Sequence, residues 1–156
     1  MSPLKANAIS AGIPVMSNNS PRVGCGAVLL RGDELLLIQR LKEPEAGCWS
    51  LVGGKVEWQD TVEETIIRET QEEVGVTIRA LSLLTVVDLM NADHGYHWVS
   101  PIYLVEAFEG DATLMEPDKH GAVGWFPLDA LPQPLAIGVQ AAVSALSRRA
   151  SSSRVR

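Results

Sequence analysis

Residues 68–76 read RETQEEVGV: Glu69, Glu72 and Glu73 stand within five positions of one another, behind an arginine and ahead of a glycine. Most acidic runs are solvated faces, and the first question is whether this one is. The segment from Asp60 to Val74 contains neither glycine nor proline, opens on a residue suited to cap a helix and is followed by Gly75, which stops one. On a wheel of ~100° per residue with Glu69 at zero, Glu73 falls near ~40° and Glu72 near ~300°, beside Val62 near ~20° and Ile66 near ~60°. Glu64, Arg68 and Gln71 gather on the opposite face, at roughly 200° to 260°. An acidic face meant for water avoids the apolar stripe; this one extends it. Half-burying three carboxylates together costs several kcal/mol unless positive charge compensates. Arg68, on the far face, is expected to serve at most Glu64 and Glu72 at i±4 spacing. The missing charge is a cation that the sequence does not encode. Oxygen ligands at i, i+3 and i+4, with no His or Cys among them, select a hard divalent ion, so Mg²⁺ is expected and Mn²⁺ is its usual substitute. Mg²⁺ completes its shell with substrate phosphates, which points to phosphate chemistry.

Outside this helix, VGCGAVLL (23–30) and ELLLIQR (34–40) read as two apolar strands joined by the turn Arg31-Gly32-Asp33, a hairpin. Residues 41–48 are loop by their Pro and Gly content, and a short apolar piece, WSLV, runs into Gly53-Gly54. VTIRALSLLTVVDLM (76–90) and WVSPIYLVEAFEG (98–110) are two long strands around a polar connection, and Pro101 predicts an edge strand or a bulge. GAVGWFPLDALP (121–132) reads as a short strand and a turn, and IGVQAAVSALSRR (137–149) as an amphipathic closing helix. Residues 1–21 are expected to be a loose leader, 22–147 the folded domain and 148–156 a disordered tail.

A chain of 156 residues, 46% apolar and 21% charged, is sized for a single hydrophobic core. No apolar run reaches about 18 residues, so no membrane span is expected. The leader carries one lysine and no sustained apolar stretch, unlike a signal peptide, and a cytoplasmic location is expected. Cys25 and Cys48 lack metal-type spacing and read as free thiols. A formal charge of -6 argues against a nucleic-acid polymer as partner, which needs a basic footprint, and permits a small anion held through a metal.

GKVEWQDTVEETIIRETQEEVGV (54–76) resembles the Nudix box, G-x5-E-x7-R-E-U-x-E-E-x-G-U with U apolar. Gly54, Arg68, Glu69, Glu72, Glu73, Gly75 and Val76 match, seven of nine specified positions, and a pattern of this length is specific. Asp60 departs, standing where the family has Glu and one methylene shorter; Thr70 departs where an apolar residue is usual. The likeness covers roughly residues 22–147. It implies a Nudix-type α/β/α sandwich with a mixed central sheet, and hydrolysis of a nucleoside diphosphate linked to another moiety. It also implies Glu69, Glu72 and Glu73 as metal ligands, with the carbonyl of Gly53 or Gly54 as a further one, and Arg68 as a structural residue orienting a glutamate. The glycines have their own reason, since a close backbone approach to metal or phosphate tolerates no Cβ.

Two or more Mg²⁺ ions would neutralise the diphosphate and lower the pKa of an attacking water. Glu72 is the first candidate for general base, and a role as metal ligand alone stays equally open. Within the family the chain is most similar to MutT-like nucleoside triphosphate diphosphatases, through YHWV (96–99), EPDK (116–119) and W-F-P (125–127) leading to LP (131–132). That branch places an acid of the EPDK loop near the metals, which makes Glu116 and Asp118 candidates; a solvated loop acid is the plain alternative for each. Arg40 is a candidate for a substrate phosphate, His97 for another substrate contact, and Trp58 and Trp125 for stacking on a base. Core packing, ordinary hydrogen bonding and solvation are the plain alternatives for these four. No proline stands 15 or 16 residues past the box, at Asn91 or Ala92, where ADP-ribose hydrolases often carry one. Val52 and Gln59 replace a proline and a glycine usual in the triphosphatase branch. The expected function is a metal-dependent pyrophosphohydrolase that splits a nucleoside triphosphate, modified or not, into monophosphate and pyrophosphate. Among enzymes the alternative is an ADP-ribose or nucleoside-diphosphate-sugar hydrolase; from another class it is a non-catalytic nucleotide-sensing module. Similar proteins are commonly dimers, and a homodimer is expected.

Overall fold

A computed structural model describes residues 19–154. In chain order they form β1 (Arg22–Val28), β2 (Leu30–Arg31), β3 (Glu34–Arg40), β4 (Trp49–Ser50), β5 (Val52–Lys55), α1 (Val62–Val74), β6 (Thr77–Asn91), β7 (Tyr96–Glu109), β8 (His120–Pro127) and α2 (Ile137–Arg154). One sheet has the order β5-β1-β7-β6, with β1 antiparallel to β5 and parallel to β7, and β6 antiparallel to β7. This is the expected mixed sheet. A second sheet is antiparallel and runs β2-β3-β4, with β8 on β3.

The chain changes sheet three times: at Leu29 and at Leu51, each a single residue between strands of different sheets, and again between β7 and β8. The expected hairpin over residues 23–40 is therefore real only at its tip, where Leu30 pairs with Leu35 and Arg31 with Glu34. Along β1 and β3 the side chains alternate between two cores, as a period of two requires. Cys25, Ala27, Leu29, Leu36 and Ile38 join Ile66 and Val74 of α1, whereas Val28, Leu35 and Leu37 join Val139 and Ala142 of α2. The two helices thus cover opposite faces, the α/β/α sandwich that the box implies.

Pro101 lies in β7, which has a partner on each side, so the edge-strand expectation fails. The strand accommodates it by broken pairing: the ladder to β1 skips from Val23↔Val99 to Gly26↔Ile102, and the ladder to β6 shifts register between Leu83 and Thr85. The expected C-terminal tail is helical as far as Arg154, with the Arg149 guanidinium donating to the Leu83 carbonyl and the Ser153 hydroxyl to the Arg149 carbonyl. The expected leader lies, as far as residue 18, outside the described residues. Among the described residues no helix is long and apolar enough to cross a membrane.

Candidate active site

Helix α1 begins one residue later than its sequence suggests. Thr61, not Asp60, is the N-cap: its hydroxyl accepts from the Glu64 N–H and the Glu64 carboxylate accepts from the Thr61 N–H, a reciprocal capping box. Gly75 closes the helix in the left-handed region at φ 74°, its N–H donating to the Gln71 carbonyl. Asp60 is taken by Arg68 instead, at 2.8 Å. This corrects the sequence-based partnering of Arg68: the Glu69 and Glu72 carboxylates stand farther off, at 3.8 and 3.9 Å, and the hydrogen bond to Asp60 is the first cause that raises the guanidinium pKa. The shorter Asp therefore has all the reach this position needs.

The wheel explains a gradient of exposure among the three glutamates. Glu73, nearest the middle of the buried stripe, is 4% exposed, the Glu69 side chain is 23% exposed and that of Glu72, at the stripe's edge, is 52% exposed. A buried carboxylate survives only with hydrogen bonds, and Glu73 has one at each oxygen. Oε1 accepts from the Gly53 backbone N–H at 2.9 Å, and Oε2 faces Nε2 of His120 at 3.1 Å. Burial still pushes the Glu73 pKa upward, against the hydrogen bonds from His120 and Gly53 that lower it. Glu69 is pushed up to about 7, by burial first and then by the charges of Glu73 and Glu72.

Gly53 and Gly54 lie in β5, paired with Gly26 and Cys25. Close packing explains why both are glycine. A Cβ on Gly53 would land on the Cys25 carbonyl oxygen, and one on Gly54 would stand 2.7 Å from the Glu69 carboxyl carbon. The Cys25 thiol donates to the Gly54 carbonyl at 3.4 Å, and burial pushes its pKa up to about 11, so it packs as a neutral thiol. Both cysteines are free.

A cavity of about 350 Å³ opens beside these glycines, lined by Gly53, Gly54 and Glu73 together with Arg40, Lys55 and Trp98. Apolar side chains of Val87, Leu89 and Ile137 complete much of its wall. Of the sequence-based candidates, Arg40, Gly54 and Glu73 line it, while Glu69 lies directly against Gly54. Glu116 is paired with Lys119 at 3.0 Å, and its charge raises the pKa of both Glu69 and Glu73, which places it with the carboxylates. Asp118 is exposed. Trp58 is 89% exposed, His97 precedes Trp98 on β7 and so points to the other face, and Trp125 stacks on Phe108 at 6.0 Å beneath the Arg31 guanidinium. None of these three is among the described residues that line the cavity. The tryptophan that does is Trp98.

The NUDIX domain family matches residues 20–146. The chain belongs to the Nudix family. The crystal structure of a MutT NUDIX hydrolase from Burkholderia pseudomallei is 50% identical, with a TM-score of 0.79, covering 81% of this chain and 98% of that one. An ADP-ribose pyrophosphatase of Methanocaldococcus jannaschii is 33% identical over 113 residues, which are 72% of this chain and 66% of that protein. An 8-oxo-dGTP diphosphatase of Proteus vulgaris is 31% identical over 100 residues, 64% of this chain and 88% of that protein. Other curated relatives are longer, and the chain spans only 27% to 31% of their length.

Nudix hydrolases cleave phosphoric anhydride bonds of nucleotides and generally need a divalent metal such as Mg²⁺. Among the described residues no three His, Cys, Asp or Glu side chains already surround a common point ready for an ion. The chemistry of the donors nevertheless fits one. Glu69, Glu72 and Glu116 offer oxygens only, and Glu69 is held against like charges that raise its pKa, a repulsion a hard cation relieves.

Proposed function

We propose that this Nudix hydrolase is a Mg²⁺-dependent pyrophosphohydrolase that splits a nucleoside triphosphate, modified or not, into monophosphate and pyrophosphate. The observation that carries the reading is the junction of two features: carboxylates packed on Gly53 and Gly54 of β5, and beside them a cavity of about 350 Å³ with an apolar wall and two cations, Arg40 and Lys55. That volume suits a nucleoside, since small-ligand sites run from about 300 to 1,000 Å³. A bound divalent ion supplies charge neutralisation of the diphosphate and a lowered pKa for attacking water. Glu69, Glu72 and Glu73, with the Gly54 carbonyl, would hold it, and Mn²⁺ would replace Mg²⁺ in the same oxygen set. Arg68, anchored on Asp60, stands 3.8 and 3.9 Å from Glu69 and Glu72 and offsets part of the repulsion between them. Glu72, the most exposed of the three, is the side chain best able to take a proton from water. Trp98 takes the stacking role for the base, and Arg40 and Lys55 meet phosphate.

A second reading, hydrolysis of ADP-ribose or a nucleoside-diphosphate sugar, is favoured by the likeness to the Methanocaldococcus protein. A panel of nucleoside triphosphates, ADP-ribose and nucleoside-diphosphate sugars, assayed with Mg²⁺, separates the two. Pyrophosphate release from a triphosphate supports the first, and turnover confined to ADP-ribose or sugar nucleotides supports the second. Tight nucleotide binding without any turnover would make the protein a sensing module and end both.

A further inference from the structure

His120 carries no motif, yet among the described residues its imidazole is the only side-chain polar partner of Glu73, the most buried carboxylate of the site. Its side chain and that of Glu73 are 6% and 5% exposed, and Nε2 faces Oε2 at 3.1 Å. The other Glu73 oxygen takes the Gly53 N–H at 2.9 Å. From its backbone, His120 donates to the Glu116 carbonyl at 3.0 Å, so the same residue ties down the loop that brings Glu116 to the cluster. It opens β8 opposite Arg40, at the place where the β3–β8 register shifts between Gln39 and Arg40. Nδ1 is buried with no hydrogen-bond partner, so no second hydrogen bond sets the ring; packing and the bond to Glu73 do.

We propose that His120 is a positioning residue of this enzyme: it fixes the Glu73 carboxylate so that Glu73 holds the Gly53–Gly54 segment of β5 against α1. Glu73 and the glycine backbone it holds then stay in place beside Glu69 and Glu72. An imidazole suits the task because it delivers one N–H into a buried space. A lysine or arginine there would bring a permanent charge to compete with the metal for the same carboxylates. Without the donor, one Glu73 oxygen is buried unpaired, and the carboxylate gains by turning away from Gly53.

The test uses the full chain, ¹⁵N-labelled, with His120→Met, which keeps the bulk of the side chain and removes the donor, and His120→Gln, which restores an N–H near the position of Nε2. In H120M the Gly53 amide resonance should shift and its hydrogen exchange quicken, Mn²⁺ binding followed by electron paramagnetic resonance should weaken, and kcat should fall about 10- to 100-fold with KM little changed. H120Q should recover most of each loss. An unchanged Gly53 amide and kcat in H120M would overturn the proposal. So would equal damage in both variants, which would make the ring a packing element only. The amide and Mn²⁺ readouts need no substrate, so an error in the proposed substrate leaves this test intact.

Discussion

The two helices press on opposite faces of the same strands and are built by opposite rules. On α2 the buried positions are Val139, Ala142 and Ala145, small and apolar. On α1 they are Ile66 and Val74, but also Thr65, Thr70 and Glu73, and the Thr70 hydroxyl has no partner. One face is a hydrophobic seam; the other accepts buried polar groups that weaken it. A capping box contributes about 1 kcal/mol, whereas an unpaired buried carboxylate costs several. Good caps alone cannot offset Glu73, and the bonds from Gly53 and His120 are what make it tolerable. The difference locates the hydrophobic seam on the α2 face and the proposed chemistry on the α1 face.

The sharpest way to break that division is Glu72→Gln, on the edge of the chemical face. Turnover should fall by about 10² to 10⁴, with the melting temperature unchanged or higher because a like charge is gone; wild-type turnover would remove Glu72 from the reaction. Leu37→Ala, fully buried on the α2 side, should do the reverse. It should destabilise by about 2–5 kcal/mol in urea titrations and leave kcat per folded molecule intact; a matching fall in kcat would show the faces to be coupled.

A pH comparison sharpens the same contrast from the side of charge. The Glu69 pKa is raised from 4.5 to about 7, so in that interval the metal-free folded protein binds more protons than the unfolded chain. Its contribution to stability is therefore lost as pH rises from about 4.5 to 7 and stays lost above it. Metal-free melts should be higher at pH 5 than at pH 8, and Mg²⁺ should narrow the gap by favouring the ionised form. If Glu69→Gln shows the same gap, another group is responsible. The smallest effect is expected for Thr61→Ala, about 1 kcal/mol from the lost cap, read as a modest drop in melting temperature with turnover kept.

Helix α1 and its stop at Gly75 were legible because period, breakers and motif spacing are all local. The cap was displaced by one residue because Asp60 and Thr61 can each cap and each has a glutamate three positions on; Arg68, a partner eight residues away, claims the first. The hairpin was overextended because alternation along β1 reads the same whether its neighbour is β3 or, as found, β5 and β7. In the site, Gly54, the three glutamates, Arg40 and Glu116 carried a motif or a position at a strand end. His120 did not, and Trp98, although inside YHWV, was not among the tryptophans expected to stack. The contact of His120 with Glu73 exists only because β8 lies on β3, and which tryptophan faces the cavity depends on strand pairing. Trp98 and Trp125 are indistinguishable until those partners are known.

The parallel pairing of β1 with β7 has a consequence for how the protein comes into being. No tight turn can close a parallel pair, so β1 gains that neighbour only after the intervening chain, box included, has been made and looped back. During synthesis helix α1 is made before β7, and the glycines of β1 that border the cavity stay without that strand until late. A nascent chain leaves the ribosome with this side of an apolar strand uncovered, and the cavity is among the last parts of the molecule to exist.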